Sequence, residues 1–159
     1  MYIVLEVFQQ TVDRDLTYRL ILRVSVKELF SGSRFRILAW VEENDQCPTE
    51  DFVLALMNSN DPDAAALVNL MDTTAKNGMT TNEQKIRFIR GNTPDIFEFK
   101  ARGGSRILAF IRREEKLIIC SHGCPKLKER RFRREVGKLE EVKELYECEI
   151  VEEANDYVH

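Results

Sequence analysis

The stretch DIFEFKARGGSRILAFIRREEKLIICSHGCPK runs from Asp95 to Lys126. It holds three apolar runs, Ile96–Arg102, Arg106–Arg112 and Leu117–His122, separated by turns at Gly103-Gly104 and Glu114-Glu115. Short runs rich in Ile, Phe and Leu, bounded by glycines or charges, read as strands. Turns this tight join antiparallel neighbours, so the spacing predicts a meander. A fourth run, Lys85–Ile89, extends it backwards across Gly91-Asn92. The first turn gathers Lys100, Arg102 and Arg106 around two glycines. A hairpin does not need three cations to stay solvated, so the turn is a candidate site for an anion. The plain alternative is that the charges only block edge pairing.

Downstream, Phe132, Val136, Leu139, Val142 and Tyr146 step by four and three, which places them on one face of a helix. Upstream, Asp61 can cap a helix with Pro62 at its first position, a stripe of Leu67, Val68, Leu70 and Met71, and a stop at Asn77-Gly78. Before it, Thr49 can cap a short helix carrying Phe52, Val53, Leu56 and Met57. Arg34–Val41 reads as a strand, as do Met1–Gln9 and Thr17–Lys27. The predicted fold class is α+β. It has an antiparallel sheet of four or more strands, an N-terminal helical pair and a C-terminal helix.

The 159 residues, 43% apolar and 32% charged, suffice for one domain with a hydrophobic core. No run of about 18 apolar residues is present to span a membrane. Met1–Glu6 has no basic leader, so a cytoplasmic location is expected. Cys47, Cys120, Cys124 and Cys148 are irregularly spaced and are expected to be reduced, mostly as small apolar fillers. Cys120-Ser121-His122-Gly123-Cys124 matches no zinc spacing, and no metal or other cofactor is expected. The formal net charge of −3 conceals a segregation. Gln84–Lys138 holds 16 Lys+Arg against 6 Asp+Glu, whereas the last 21 residues hold eight acids and one base, Lys143. A basic block of this kind suits a polyanion, or is simply a solvated surface.

From Arg34 onward the order is strand, helix, helix, antiparallel strands, helix. With that order, Asp95–Lys126 resembles the central motif of the RelE/ParE toxin superfamily, nearest its phage-derived, HigB-like branch. The residues that carry the resemblance are Phe97-Glu98-Phe99-Lys100, Gly103-Gly104, Arg106, Phe110 and Ile118–Gly123 with Lys126 and Lys128. Pro48–Met57, PTEDFVLALM, is similar to the opening of that branch's first helix. The resemblance covers about Arg34–Tyr146. It divides the single domain, 1–159, into an N-terminal β extension (1–33), a family-like core (34–147) and an acidic tail (148–159).

The resemblance implies a RelE-like fold and a ribosome-dependent mRNA endonuclease, the toxin of a type II toxin–antitoxin pair. In such enzymes the mRNA 2′-hydroxyl attacks its own phosphate, so neither metal nor protein nucleophile is required. The protein must remove a proton, neutralise a phosphorane and protonate a 5′-oxygen. Lys100 is then the candidate base or charge stabiliser, Arg106 the first phosphate contact, Arg102 the second, and His122 a candidate proton donor. Lys126, Lys128, Arg130, Arg131, Arg133 and Arg134 form the expected RNA-binding face, with Phe132 to stack on a base. Glu98 departs from the pattern, standing where some members carry a lysine. The implied partners are a cognate antitoxin, often a helix-turn-helix protein, with mRNA and ribosomal RNA, and no membrane. The alternative is a non-catalytic or ParE-like, gyrase-directed binding protein. The acidic stretch from Glu140 to Asp156 is expected to shield the basic block until a partner displaces it.

Overall fold

The strand Arg106–Arg112 shows what surrounds the sheet. Ile107, Leu108, Ala109, Phe110 and Ile111 are all buried, with no alternation of apolar and polar positions. A strand loses its alternation when both of its faces are covered. The computed structural model, which describes residues 2–4, 25–91 and 93–156, supplies both covers. Much of the two strands expected over Met1–Gln9 and Thr17–Lys27 lies outside the described residues.

Among the described residues there are seven strands and three helices. In chain order they are β1 (Tyr2–Val4), β2 (Ser25–Ser31), β3 (Arg36–Val41), α1 (Pro48–Asn58), α2 (Pro62–Asn77), β4 (Ile86–Phe88), β5 (Ile96–Lys100), β6 (Arg106–Arg112), β7 (Leu117–Cys124) and α3 (Glu129–Asp156). They form one sheet in the order β1-β2-β3-β7-β6-β5-β4. The helical hairpin α1–α2 covers one face, over Ile37, Phe97, Phe99, Ile107, Ile111 and Ile118. On the other face, Phe132, Val136, Leu139, Val142 and Tyr146 of α3 pack on Leu38, Ile96, Leu108, Phe110 and Ile119.

This architecture corrects the predicted one in two respects. The sheet is mixed, not antiparallel, because β3 and β7 pair in parallel from Arg36↔Leu117 to Ala39↔Cys120. The helical pair is not N-terminal, because strands precede it and it bridges β3 to β4. Both differences have one cause. After β3 the chain crosses a sheet face as two helices and enters the far edge as β4. It then winds back through β5 and β6, so β7 arrives beside β3. A parallel pair needs a long connection, and here that connection contains two helices and three strands. Tight turns reveal neighbours in sequence, but they do not reveal that the last strand of a meander meets a strand about 80 residues earlier.

The helix ends follow local chemistry. Asp61 caps α2, its carboxylate accepting the Asp63 N–H at 2.9 Å, and Pro62 opens the helix. In α1 the cap falls earlier than expected. Pro48 is already helical, Cys47 sits at the N-cap without a side-chain bond, and Thr49 is buried. Helix α3 is one continuous rod of 28 residues, roughly 42 Å at about 1.5 Å per residue. Its acidic half therefore extends away from its basic half and cannot fold back over it, which removes the expected shielding within one chain. No helix among the described residues is long and apolar enough to cross a membrane.

Leu139 is fully buried at the centre of the α3 contact. Leu139→Ala should lower the unfolding free energy by about 2–5 kcal/mol. Exposed Glu141→Ala, two residues on, should change it by less than about 0.5 kcal/mol. Urea unfolding of the two variants checks the packing of α3; equal effects would mean that α3 is not docked as described.

A candidate phosphate-binding cleft

The connection between β5 and β6 is built so that only glycine fits twice. Ala101 N–H donates to the Ser105 carbonyl at 2.9 Å and Gly104 N–H to the Ala101 carbonyl at 3.1 Å. Gly104 has φ +107°, and a Cβ there would lie 2.8 Å from the Lys126 Cβ. A Cβ on Gly103 would lie 2.6 Å from both carboxylate oxygens of Asp63. Side chains are excluded at the first position by backbone strain and contact, and at the second by contact alone.

Asp63, in the first turn of α2, is the clamp on this connection. Its carboxylate accepts the Gly103 N–H at 2.8 Å and the Ser105 N–H at 3.0 Å. Burial by itself would raise its pKa. The bonds from Ser105 and Gly103 outweigh that effect and hold the carboxyl below its ordinary value. The clamp fixes the turn against α2 and leaves Arg102 exposed at its tip.

Between α2, the segment before β4 and this turn lies a cleft of about 670 Å³. Lys85, Lys100, Arg102, Arg106 and Lys126 line it, with Asn69, Thr73, Asn82 and Gln84 among its other polar groups. Among the described residues no carboxylate lines it. Three of the four sequence-predicted catalytic residues therefore converge, together with two lysines, Lys85 and Lys126. Lys100 sits across the β5–β6 ladder from Arg106, and its Nζ donates to the Glu83 carbonyl at 3.3 Å.

Arg106 is held from behind. One Nη lies 3.0 Å from Glu98 Oε2, and the guanidinium stands 4.9 Å from the centre of the Phe132 ring. Its side chain is only 15% exposed, and its Nε has no hydrogen bond among the described residues. The other oxygen of fully buried Glu98 takes Arg87 at 2.7 Å. Phe132 is thus a platform for arginine and not an open face for a base, contrary to its expected role.

His122 lies outside the cleft lining, under α3. Its Nδ1 is 2.8 Å from Ser121 Oγ. Its Nε2 is 2.9 Å from Glu135 Oε2 but off the line of a hydrogen bond. Burial pulls its pKa below the ordinary value, so it is neutral near pH 7 and has no access to the cleft as a proton donor. Of the predicted RNA-binding cations, Lys126 reaches the cleft. Lys128, Arg130, Arg131 and Arg134 are exposed, and Arg133 is exposed but paired with Glu129. Cys120 and Cys124 are buried thiols, and burial raises the Cys124 pKa to about 11. Among the described residues no three His, Cys, Asp or Glu side chains gather as a metal site.

Sequence reasoning missed Asp63, Glu98 as the anchor of Arg106, and Lys85. An acid in a first helical turn is already accounted for by the helix dipole, so Asp63 gave no separate signal. The Gly103-Gly104 pair was the only local sign that something approaches that backbone closely.

Asp63→Asn should destabilise the fold by about 1–3 kcal/mol near neutral pH, because an amide NH₂ would then face a backbone N–H. The folded carboxyl has a pKa below the unfolded value of about 3.9. Its stabilisation is therefore fully present above that pH and is lost as pH falls through the folded value. Urea titrations should show the gap between wild type and variant closing on acidification. A gap independent of pH would mean the carboxylate is not what holds the turn.

No family model, curated protein or solved structure matches this chain.

Proposed function

We propose that the cleft binds the phosphodiester backbone of RNA and cleaves it without a metal, as a ribosome-dependent mRNA endonuclease and the toxin of a type II toxin–antitoxin pair. One observation carries the proposal: five cations line a single cleft that, among the described residues, no carboxylate lines. Such a cleft attracts a polyanion from a distance and stabilises charge that grows on phosphate. The resemblance of Asp95–Lys126 to RelE/ParE toxins supplies the reaction type, and a helix-turn-helix antitoxin is the partner it implies.

In the proposed reaction the 2′-hydroxyl attacks the adjacent phosphorus, the bond to the 5′-oxygen breaks, and a 2′,3′-cyclic phosphate is left. Lys100, in the cleft lining, takes the 2′ proton in this reading or, if charged, neutralises the phosphorane. Arg106, fixed by Glu98 and Phe132, presents a preset guanidinium edge, and exposed Arg102 closes on the phosphate from the turn. With His122 outside the cleft lining, the proton for the 5′-oxygen falls to a lysine, and Lys126, beside Gly104 of the turn, also lines the cleft. Lys128, Arg130, Arg131 and Arg134 hold flanking RNA. The pairing of Arg106 with Glu98 favours a second reading, a non-catalytic or gyrase-directed binding protein, because it neutralises one cation of the set.

Induced expression in a bacterium, with primer extension on a reporter mRNA, distinguishes the two. Codon-phased cuts support the nuclease. Growth arrest with intact mRNA and DNA damage supports gyrase, and no effect on either removes both. Lys100→Ala and Arg102→Ala should each slow cleavage by about 100-fold or more with the fold intact. Lys128→Ala should weaken RNA binding modestly and lessen its salt slope by about 0.7. Arg106→Ala is a poorer probe, since it also strips a partner from buried Glu98.

A further inference from the structure

Helix α3 is charged against its own dipole. Arg130, Arg131 and Arg134 lie near its N-terminus, Glu141 and Glu144 lie on either side of its midpoint, and no basic residue lies in its last turn. A helix favours the reverse placement. Arg130, Arg134, Gly137, Glu141, Glu144 and Cys148 also step by four and three, so they form one stripe. The stripe is opposite the face that docks on the sheet. All its members are exposed except half-buried Gly137. Its four charged residues have no ion-pair partner among the described residues. The like charges Arg130/Arg134 and Glu141/Glu144, at helical spacing, repel.

Gly137 is the second observation. A glycine in mid-helix weakens the helix relative to alanine. A Cβ on Gly137 would meet nothing within 4 Å, so nothing within the described structure requires a glycine there. The absence of a side chain at that point allows another backbone to come close. A polyanion would satisfy the basic half of the stripe and be repelled by the acidic half. A partner with the same pattern, reversed in direction, satisfies both.

We propose that this stripe is the contact for a second copy of the chain, the two α3 helices lying antiparallel about a two-fold axis near Leu139. An isologous contact of this kind sets each residue against its mirror in the pattern. Arg134 then faces Glu144 of the second copy, Gly137 faces Glu141, and Arg130 faces Cys148. Each basic N-terminal half meets an acidic C-terminal half, and the two dipoles oppose. A parallel pairing would set arginine on arginine. Exposed ion pairs contribute little individually, so the dimer is weak and salt-sensitive. It covers Arg130 and Arg134, so it competes with any polyanion for them, and it holds whatever chemistry the cleft performs.

Sedimentation equilibrium of the full chain at about 0.01 M and about 1 M salt tests the proposal, since the screening length falls from roughly 30 Å to roughly 3 Å. The dimer dissociation constant should rise at least about tenfold at high salt. Arg134→Glu should remove the dimer, and Arg134→Glu with Glu144→Arg should restore it, because the double reversal rebuilds the same pairs. Gly137→Gln should also remove it while circular dichroism shows the helix retained. A wild type that stays monomeric at low salt overturns the proposal, as does a dimer indifferent to Arg134→Glu or one the double variant fails to restore.

Discussion

Glu98 has no exposed surface, yet it carries a carboxylate into the sheet one strand in from its β4 edge. A charge placed there costs several kcal/mol unless partners meet it at close range. Arg87 from β4 and Arg106 from β6 do so, one on each oxygen. Arg106 in turn stacks on Phe132 of α3, and Arg87 lies 5.9 Å from the same ring. Three neighbouring strands and a helix are thereby tied at one point. Loss of either arginine would leave a buried, under-paired carboxylate, so this corner of the sheet tolerates change poorly.

The same economy organises the cleft. Two carboxylates, Glu98 and Asp63, work from behind it, and neither lines it. Glu98 orients a guanidinium. Asp63 holds the turn through two backbone N–H groups and so sets the position of Arg102 without pairing with it. The electrostatic consequence is that Arg106 is met by a carboxylate from the protein side while its neighbours in the lining are not. Such an arrangement holds a guanidinium in place without a carboxylate in the cleft itself, so it needs little reorganisation to meet an anion.

Helix α3 serves two surfaces with opposite demands. Its apolar stripe closes the second core, while its outer stripe carries charge of one sign and then the other along a rigid rod. Rigidity matters here. A flexible acidic tail could cover the basic block of its own chain, whereas a continuous helix holds the two signs roughly half a helix length apart. Compensation must then come from solvent, from a polyanion or from another molecule.

Local pattern carried much of this structure. The apolar runs of β5, β6 and β7, the Asp61-Pro62 start of α2 and the docking stripe of α3 are all written in neighbours a few residues apart. The crowding of Lys100, Arg102 and Arg106 at one turn was legible for the same reason. The parallel pairing of β3 with β7 was not, because it joins residues about 80 positions apart and depends on which sheet edge the helical hairpin delivers the chain to. Nor was the fate of individual charged side chains. Arg106, Phe132 and His122 looked like free functional groups because their partners, Glu98, Arg106 and Glu135, approach only across strands or between sheet and helix. Spacing along a chain reports which face a side chain takes; which charge meets it there is decided by packing, since only close approach in a water-poor interior makes one ion pair outweigh the rest.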